Sequence, residues 1–197
     1  MSTVKDIFGR GFGRFIVGFA ATAISEGMLP VAIIFALFRA GYSVGALSVV
    51  MAASAMPMVL FLLVGGVIGD KFSRRNIMIF TSLMNFICLI FLAFIFYEHS
   101  ASLWLVAVLA ALSGLLEAFA TPCFQGFIPE IVLDQHLQSA NGMISMLRGV
   151  GRVIGPAISG LLIVIINPSF VIALGSIAFL LISGILFTIP KKLMSQF

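Results

Sequence analysis

The sequence predicts an all-α membrane protein, a single domain folded as a six-transmembrane-helix bundle. Three observations carry this. The 197-residue chain is 61% hydrophobic and 9% charged, whereas a soluble domain is about 45–50% apolar and about 25% charged. Its mean hydropathy is +1.23, which is more apolar surface than a water-soluble core of this size can hide, so lipid must be its solvent. The apolar residues also fall into long continuous runs without the apolar/polar alternation of barrel strands, which selects helices.

A bilayer core of about 30 Å needs about 20 apolar residues in helical form. Runs near residues 15–38, 45–69, 77–97, 102–127, 141–166 and 170–189 satisfy this. Turn or charge signals separate them at 39–41, 70–76, 98–100, 129–138 and 167–169. The connection over 128–140 is expected to be the longest, with a short helix lying at the inner surface. Lys5, Arg10 and Arg14 precede the first run and resemble the n-region of a signal peptide. The run that follows is too long for an h-region of about 7–15 residues, so it reads as a retained first helix.

Orientation follows from Lys and Arg. With both termini inside, the inner segments hold Lys5, Arg10, Arg14, Lys71, Arg74, Arg75, Lys191 and Lys192, and the outer segments hold Arg39. This bias predicts a multi-pass protein of the cell inner (plasma) membrane with both termini cytoplasmic. The net charge of +4 therefore marks topology, and no nucleic-acid partner is expected.

Enzyme chemistry finds no footing. Cys88 and Cys123 lie inside apolar runs without a CxxC pair, and His99 and His136 are far apart, so no metal or cofactor is expected. No HExxH, GxSxG or phosphate-loop GxxxxGK[ST] occurs. The GRGFG run at 9–13 does not follow a strand.

Four ionisable residues fall inside the spans, where each costs about 2.5–3.5 kcal/mol on insertion scales and is by default a functional candidate. Glu26 lies mid-way along the first span and Glu117 mid-way along the fourth. Arg148 and Arg152 lie four apart on the fifth, hence on one helical face. Arg152 is a candidate partner of Glu117 or Glu26, or of an anionic substrate. Arg148 is shallower, placed to snorkel or to join a cytoplasmic cluster with Asp70, Arg74, Arg75 and Glu130. Structural pairing is the expectation favoured for both arginines.

Two motifs resemble a known family. The run GVIGDKFSRR over 66–75, at the end of the second span, is similar to motif A of the major facilitator superfamily: Gly66, then Asp70, then Lys71, Arg74 and Arg75 in a tight loop. Ser73 stands where the family often has Gly. The run GRVIGPAISG over 151–160 resembles motif C, which marks the antiporter branches: Gly151 and Gly155 give a small-xxx-small face, and Pro156 removes a backbone bond beside Gly155. AFATP at 118–122, IPE at 128–130 and SANG at 139–142 look like the macrolide-efflux and siderophore-exporter branch.

The resemblance covers essentially the whole chain and implies the N-terminal half of a twelve-span fold, with a 3+3 inverted repeat that leaves no clear echo in the sequence. Residues 190–197 then read as the start of the central cytoplasmic linker. The resemblance further implies that spans one and four line a central cavity, so that Glu26 and Glu117 face one water-filled space. Such carboxylates would hold a proton at neutral pH and release it when a cationic substrate arrives. An aromatic wall drawn from the 20 Phe would suit flat lipophilic cations. The Arg that motif B usually places in span four is missing here. In the family the motif A loop acts as a latch against the other half.

The expected function is secondary active export of small amphipathic or drug-like compounds by proton antiport through alternating access. That mechanism rocks one bundle against another, so a C-terminal six-helix half or a second copy would be needed. The competing expectation is a non-transporting truncated half, or a six-helix subunit of a larger membrane assembly.

Overall fold

Six long helices follow one another with connections of only a few residues. The computed structural model describes residues 11–189. Lys5, Arg10, Lys191, Lys192 and the linker expected from residue 190 lie outside the described residues. The helices are α1 (Phe12–Arg39), α2 (Val44–Lys71), α3 (Arg74–Tyr97), α4 (Leu103–Ile131), α5 (Leu137–Ile165) and α6 (Pro168–Thr188). Each is long and apolar enough to cross a membrane. In lipid every backbone N–H and C=O must be bonded within the segment, so runs of this composition have no alternative to the helix.

The helices reach beyond the apolar runs at several ends. The largest difference is between α4 and α5. Pro129 does not stop α4, which continues to Ile131, and α5 begins at Leu137. The expected long 128–140 connection is thus reduced to a few residues. Its expected surface helix is a single 3-10 turn, Asp134–His136. Helix starts have local causes. Asn167 Oδ1 accepts from the Ser169 amide at 3.1 Å with Pro168 at the first helical position. Ser102 Oγ accepts from the Leu105 amide at 3.3 Å at the start of α4.

The pairing of helices displays the repeat that the sequence hides. The main contacts are α2 on α4, α1 on α5, α3 on α6, α1 on α6 and α3 on α4. Exchanging α1, α2, α3 with α4, α5, α6 maps this set onto itself. Because successive helices alternate in direction, the two triplets are inverted, as in transporters built on repeats about an axis in the membrane plane. Interior prolines follow the same rule. They occur in α1 (Pro30), α2 (Pro57), α4 (Pro122, Pro129) and α5 (Pro156), whereas α3 and α6 have none beyond Pro168 at the start of α6.

Glycine sets the closest approaches. A Cβ at Gly155 would lie 2.6 Å from the Ile24 carbonyl oxygen and 2.7 Å from Gly27 Cα, and one at Gly151 would strike the Ala23 carbonyl. Thus α1 and α5 meet backbone to backbone. On the exchanged pair, Gly114 meets the Ser54 carbonyl and Gly65 meets the Ala118 carbonyl. With no hydrophobic drive between helices in lipid, such small-residue contacts supply the packing.

The core divides into two clusters. One, near the Asp70 end, contains Phe12, Phe15, Phe127, Ile131, Leu186 and Ile189. The other, near the Arg39 end, contains Leu37, Val50, Leu92, Phe96, Val106 and Val171. α2 contributes little to either: Val50, Gly65 and Gly69 are its buried residues. Its remaining faces are apolar and open, with Leu63 83% exposed.

Candidate functional site

A cavity of about 530 Å³ lies between the two core clusters. All four charged residues singled out inside the spans line it: Glu26, Glu117, Arg148 and Arg152. Their placement follows from where the clusters stop. On α1, Ala23 belongs to one cluster and Met28 to the other, and Glu26 lies between them. On α4, Glu117 lies between Leu109 and Cys123. On α5, Arg148 and Arg152 lie between Ile144 and Ile163. The charges occupy the unfilled layer.

Glu26 and Glu117 hold the same place in the repeat. Each lies 14 residues beyond the first residue of its helix, Phe12 in α1 and Leu103 in α4. Each also directly precedes a residue of the tight crossing, Gly27 against α5 and Ala118 against α2. A proline follows closely in both helices, Pro30 and Pro122. Both carboxylates are exposed on the cavity wall.

Ion pairs within 4.0 Å among the described residues are Arg74 with Asp70, at 2.9 Å, and Arg74 with Glu130, at 3.2 Å. Arg152 therefore does not form the close pair with Glu117 or Glu26 that was the favoured expectation, although its charge reaches Glu26. Arg148 does not join the Asp70–Arg74–Glu130 cluster either. Its guanidinium carbon lies 5.2 Å from the Phe124 ring centroid and 5.6 Å from that of Phe19. The reason is reach: the side chain leaves α5 on the cavity face, and the two rings meet it there.

That aromatic wall is the part of the site the sequence did not single out. Phe19 and Phe124 lie 4.6 Å apart by ring centroid, and Phe15 stacks on Phe124 at 5.3 Å. Phe179 lines the cavity as well. With 20 Phe in the chain, only the proximity of an unpaired arginine selects these few.

The segment resembling motif A splits into three jobs. Arg74 Nη1 donates to the Gly126 carbonyl at 2.9 Å as well as to Glu130, and Nη2 donates to Asp70, so one guanidinium joins α2, α3 and α4. Arg75 faces elsewhere. Its Nε donates to the Leu186 carbonyl at 2.7 Å and its Nη2 to the Phe187 carbonyl at 3.0 Å, satisfying the open end of α6. It is buried, and it is no member of the cytoplasmic cluster it was expected to join. Lys71 is exposed. Gly65 and Gly69 pack on α4, Gly69 at 3.0 Å from Cys123 Sγ for an added Cβ, while Gly66 has open space.

The segment resembling motif C packs on α1 through Gly151 and Gly155, and α5 remains helical through Pro156. Gly160, the fourth residue of that expectation, has nothing within 4 Å of an added Cβ and takes no part in the crossing.

Six membrane-length helices in two exchangeable triplets, closed around a charged cavity, define a multi-pass membrane protein of the transporter type. The family model described as transmembrane secretion effector, within the major facilitator superfamily (MFS), matches residues 15–196, and the chain belongs to that family. It is similar to the uncharacterized MFS-type transporter YfiS of Bacillus subtilis, at 25% identity over 150 residues, 76% of this chain and 35% of that protein. Macrolide efflux protein A of Streptococcus pyogenes is 26% identical over 145 residues, 74% of this chain and 36% of that protein. The staphyloferrin A transporter of Staphylococcus aureus is 26% identical over 111 residues, 56% of this chain and 28% of that protein. The matched stretches thus span about a third of the length of these curated relatives.

Proposed function

We propose that this chain is the N-terminal six-helix half of a secondary active exporter, which moves small amphipathic compounds out of the cell by proton antiport. The observation that carries this is Glu26 and Glu117: two carboxylates at repeat-equivalent positions on one cavity, without an ion-pair partner within 4.0 Å. A membrane-depth carboxylate without a fixed counter-charge is suited to bind and release a proton. A charge moved across the membrane gains about 2.3 kcal/mol per 100 mV, so the gradient is an adequate drive. A cavity of about 530 Å³ lies within the range of small-molecule sites, about 300–1,000 Å³.

The export direction is supported by the relatives named for efflux. The chain lies in the inner (plasma) membrane with the Asp70 end and both termini in the cytoplasm, as the Lys/Arg bias indicates. Alternating access requires a second bundle. The open apolar faces of α2 and α5, with Leu63 83% and Val164 85% exposed, are where a C-terminal six-helix half or a second copy would pack. Asp70, Arg74 and Glu130 then act as a latch that holds the cytoplasmic ends together in one state.

The test is dye efflux from cells expressing the chain alone and with a C-terminal six-helix half, each with and without a protonophore. Glu26→Gln is run in parallel. Export that both the protonophore and the Gln variant abolish supports the reading. Export that persists through both would sink proton coupling. No export from either arrangement, with the protein inserted, would favour a non-transporting subunit.

A further inference from the structure

The cavity arginines carry hydrogen-bonding capacity that no group among the described residues uses, and this bears on the substrate of the proposed exporter. Arg148 and Arg152 make no hydrogen bond and no ion pair within 4.0 Å among the described residues, yet both line the cavity. A guanidinium has five N–H donors and no way to lose its charge. Arg148 is half-buried and Arg152 exposed on the cavity wall, so their donors are open to an acceptor carried by a bound compound.

The geometry says more than the count. Phe19 and Phe124 hold the Arg148 guanidinium at 5.6 and 5.2 Å from their ring centroids. A cation–π contact uses the ring faces and supplies no hydrogen-bond acceptor, so the guanidinium's N–H donors remain available to an anion. Arg152 lies one turn further along the same face of α5, lining the same space. Glu26 and Glu117 share the cavity within electrostatic reach of Arg148 but out of contact with it. A lipophilic cation would offer the two guanidiniums no acceptor. A compound with a carboxylate at one end would instead supply the acceptor they lack.

We propose that the cavity takes amphipathic compounds bearing a carboxylate, which Arg148 and Arg152 bind, with the apolar body against Phe179 and the neighbouring wall. A zwitterion fits best, its positive group toward Glu26 and Glu117. This deepens the exporter reading and rests on it for the claim that the bound compound is transported, while the binding itself can be tested without transport.

The probe is a matched pair, a rhodamine with a free carboxylate and its methyl ester, which share one fluorophore and differ by one anionic group. Binding to the full chain in lipid nanodiscs is read by fluorescence polarisation. Wild type is expected to bind the acid at least tenfold more tightly than the ester, about 1.4 kcal/mol. Arg148→Gln with Arg152→Gln should bring the two dyes to within twofold. Arg148→Lys, which keeps the charge but not the fork, should fall between. The wild-type ratio stands even where a variant fails to insert. Equal affinity for both dyes, no binding of either, or a preference that survives in the double variant would overturn the proposal. Should selective binding hold while efflux fails in cells, the exporter reading falls and the anionic subsite stands. Should cells export the ester as well as the acid, with no binding preference, the subsite alone falls.

Discussion

Glu26 on α1 and Glu117 on α4 are related by the inverted repeat: each lies 14 residues into its helix, one residue before the tight crossing with the helix it packs on. Two carboxylates so placed approach one cavity from exchanged elements, and neither is tied to a nearby cation. A pair of this kind makes a symmetric demand on substitution. In the proposed two-half exporter, Glu26→Gln and Glu117→Gln should each lower initial efflux rate by tenfold or more with unchanged protein in the membrane. Efflux rates measured per inserted molecule check this. A large loss for one and none for the other would break the equivalence.

The α1–α5 crossing predicts a contrast within a single segment. Gly155→Val forces a side chain into backbone 2.6 Å away, and overpacking of this kind costs about 1–3 kcal/mol. For a chain of this size each kcal/mol shifts the melting temperature by about 2–4 °C. Gly155→Val and Gly151→Val should therefore melt several degrees below wild type in detergent, and Gly160→Val, which meets open space, should match it.

Arg74 and Arg75 are neighbours in sequence with different expected phenotypes. Arg75→Ala takes a buried guanidinium away from the Leu186 carbonyl, which keeps the Ile189 amide at 3.3 Å, and from the Phe187 carbonyl, where a group left unsatisfied costs about 1–3 kcal/mol. It should lower the melting temperature of the isolated chain clearly. Arg74→Ala removes a pair with Asp70, 74% exposed, of the kind that contributes about 0.2–1 kcal/mol, and a half-buried pair with Glu130, 24% exposed. Melting should fall modestly and efflux steeply, if the cluster is a latch.

Gly66 offers a test for the proposed second half. Gly65 and Gly69 press on α4, whereas Gly66 faces open space. Gly66→Leu should leave the melting temperature of this chain alone within about 2 °C and abolish its co-purification with the second half. Gly65→Leu should destabilise the chain by itself. If Gly66→Leu co-purifies as wild type does, the second half packs elsewhere.

Orientation is open to chemical labelling. In a background with Cys88 and Cys123 replaced, His99→Cys should react with a membrane-impermeant maleimide on intact cells, and Ser73→Cys should react only after lysis. The reverse pattern would invert the proposed topology.

The sequence by itself determined the solvent, the number of spans and their class, because a lipid core leaves a long apolar run no structure but the helix. It also pointed to Glu26, Glu117, Arg148 and Arg152, since an ionisable group at that depth is conspicuous against its background. The interior prolines of α1, α2, α4 and α5 follow the repeat, but only the observed helix pairing shows that they do. Only the tertiary structure decided who meets whom. The repeat is carried by crossings that need nothing more than small residues, so Gly27 can answer Ala118, and beside them the Glu26–Glu117 match is too short to stand out. Arg75 reached α6 while Arg74 stayed with Asp70 and Glu130, because adjacent residues on a helix point about 100° apart. Arg148 found Phe19 and Phe124, on α1 and α4, through contacts spanning more than a hundred residues of chain in one case. No local pattern records such a contact, since it exists only once α1, α4 and α5 have packed around the same space.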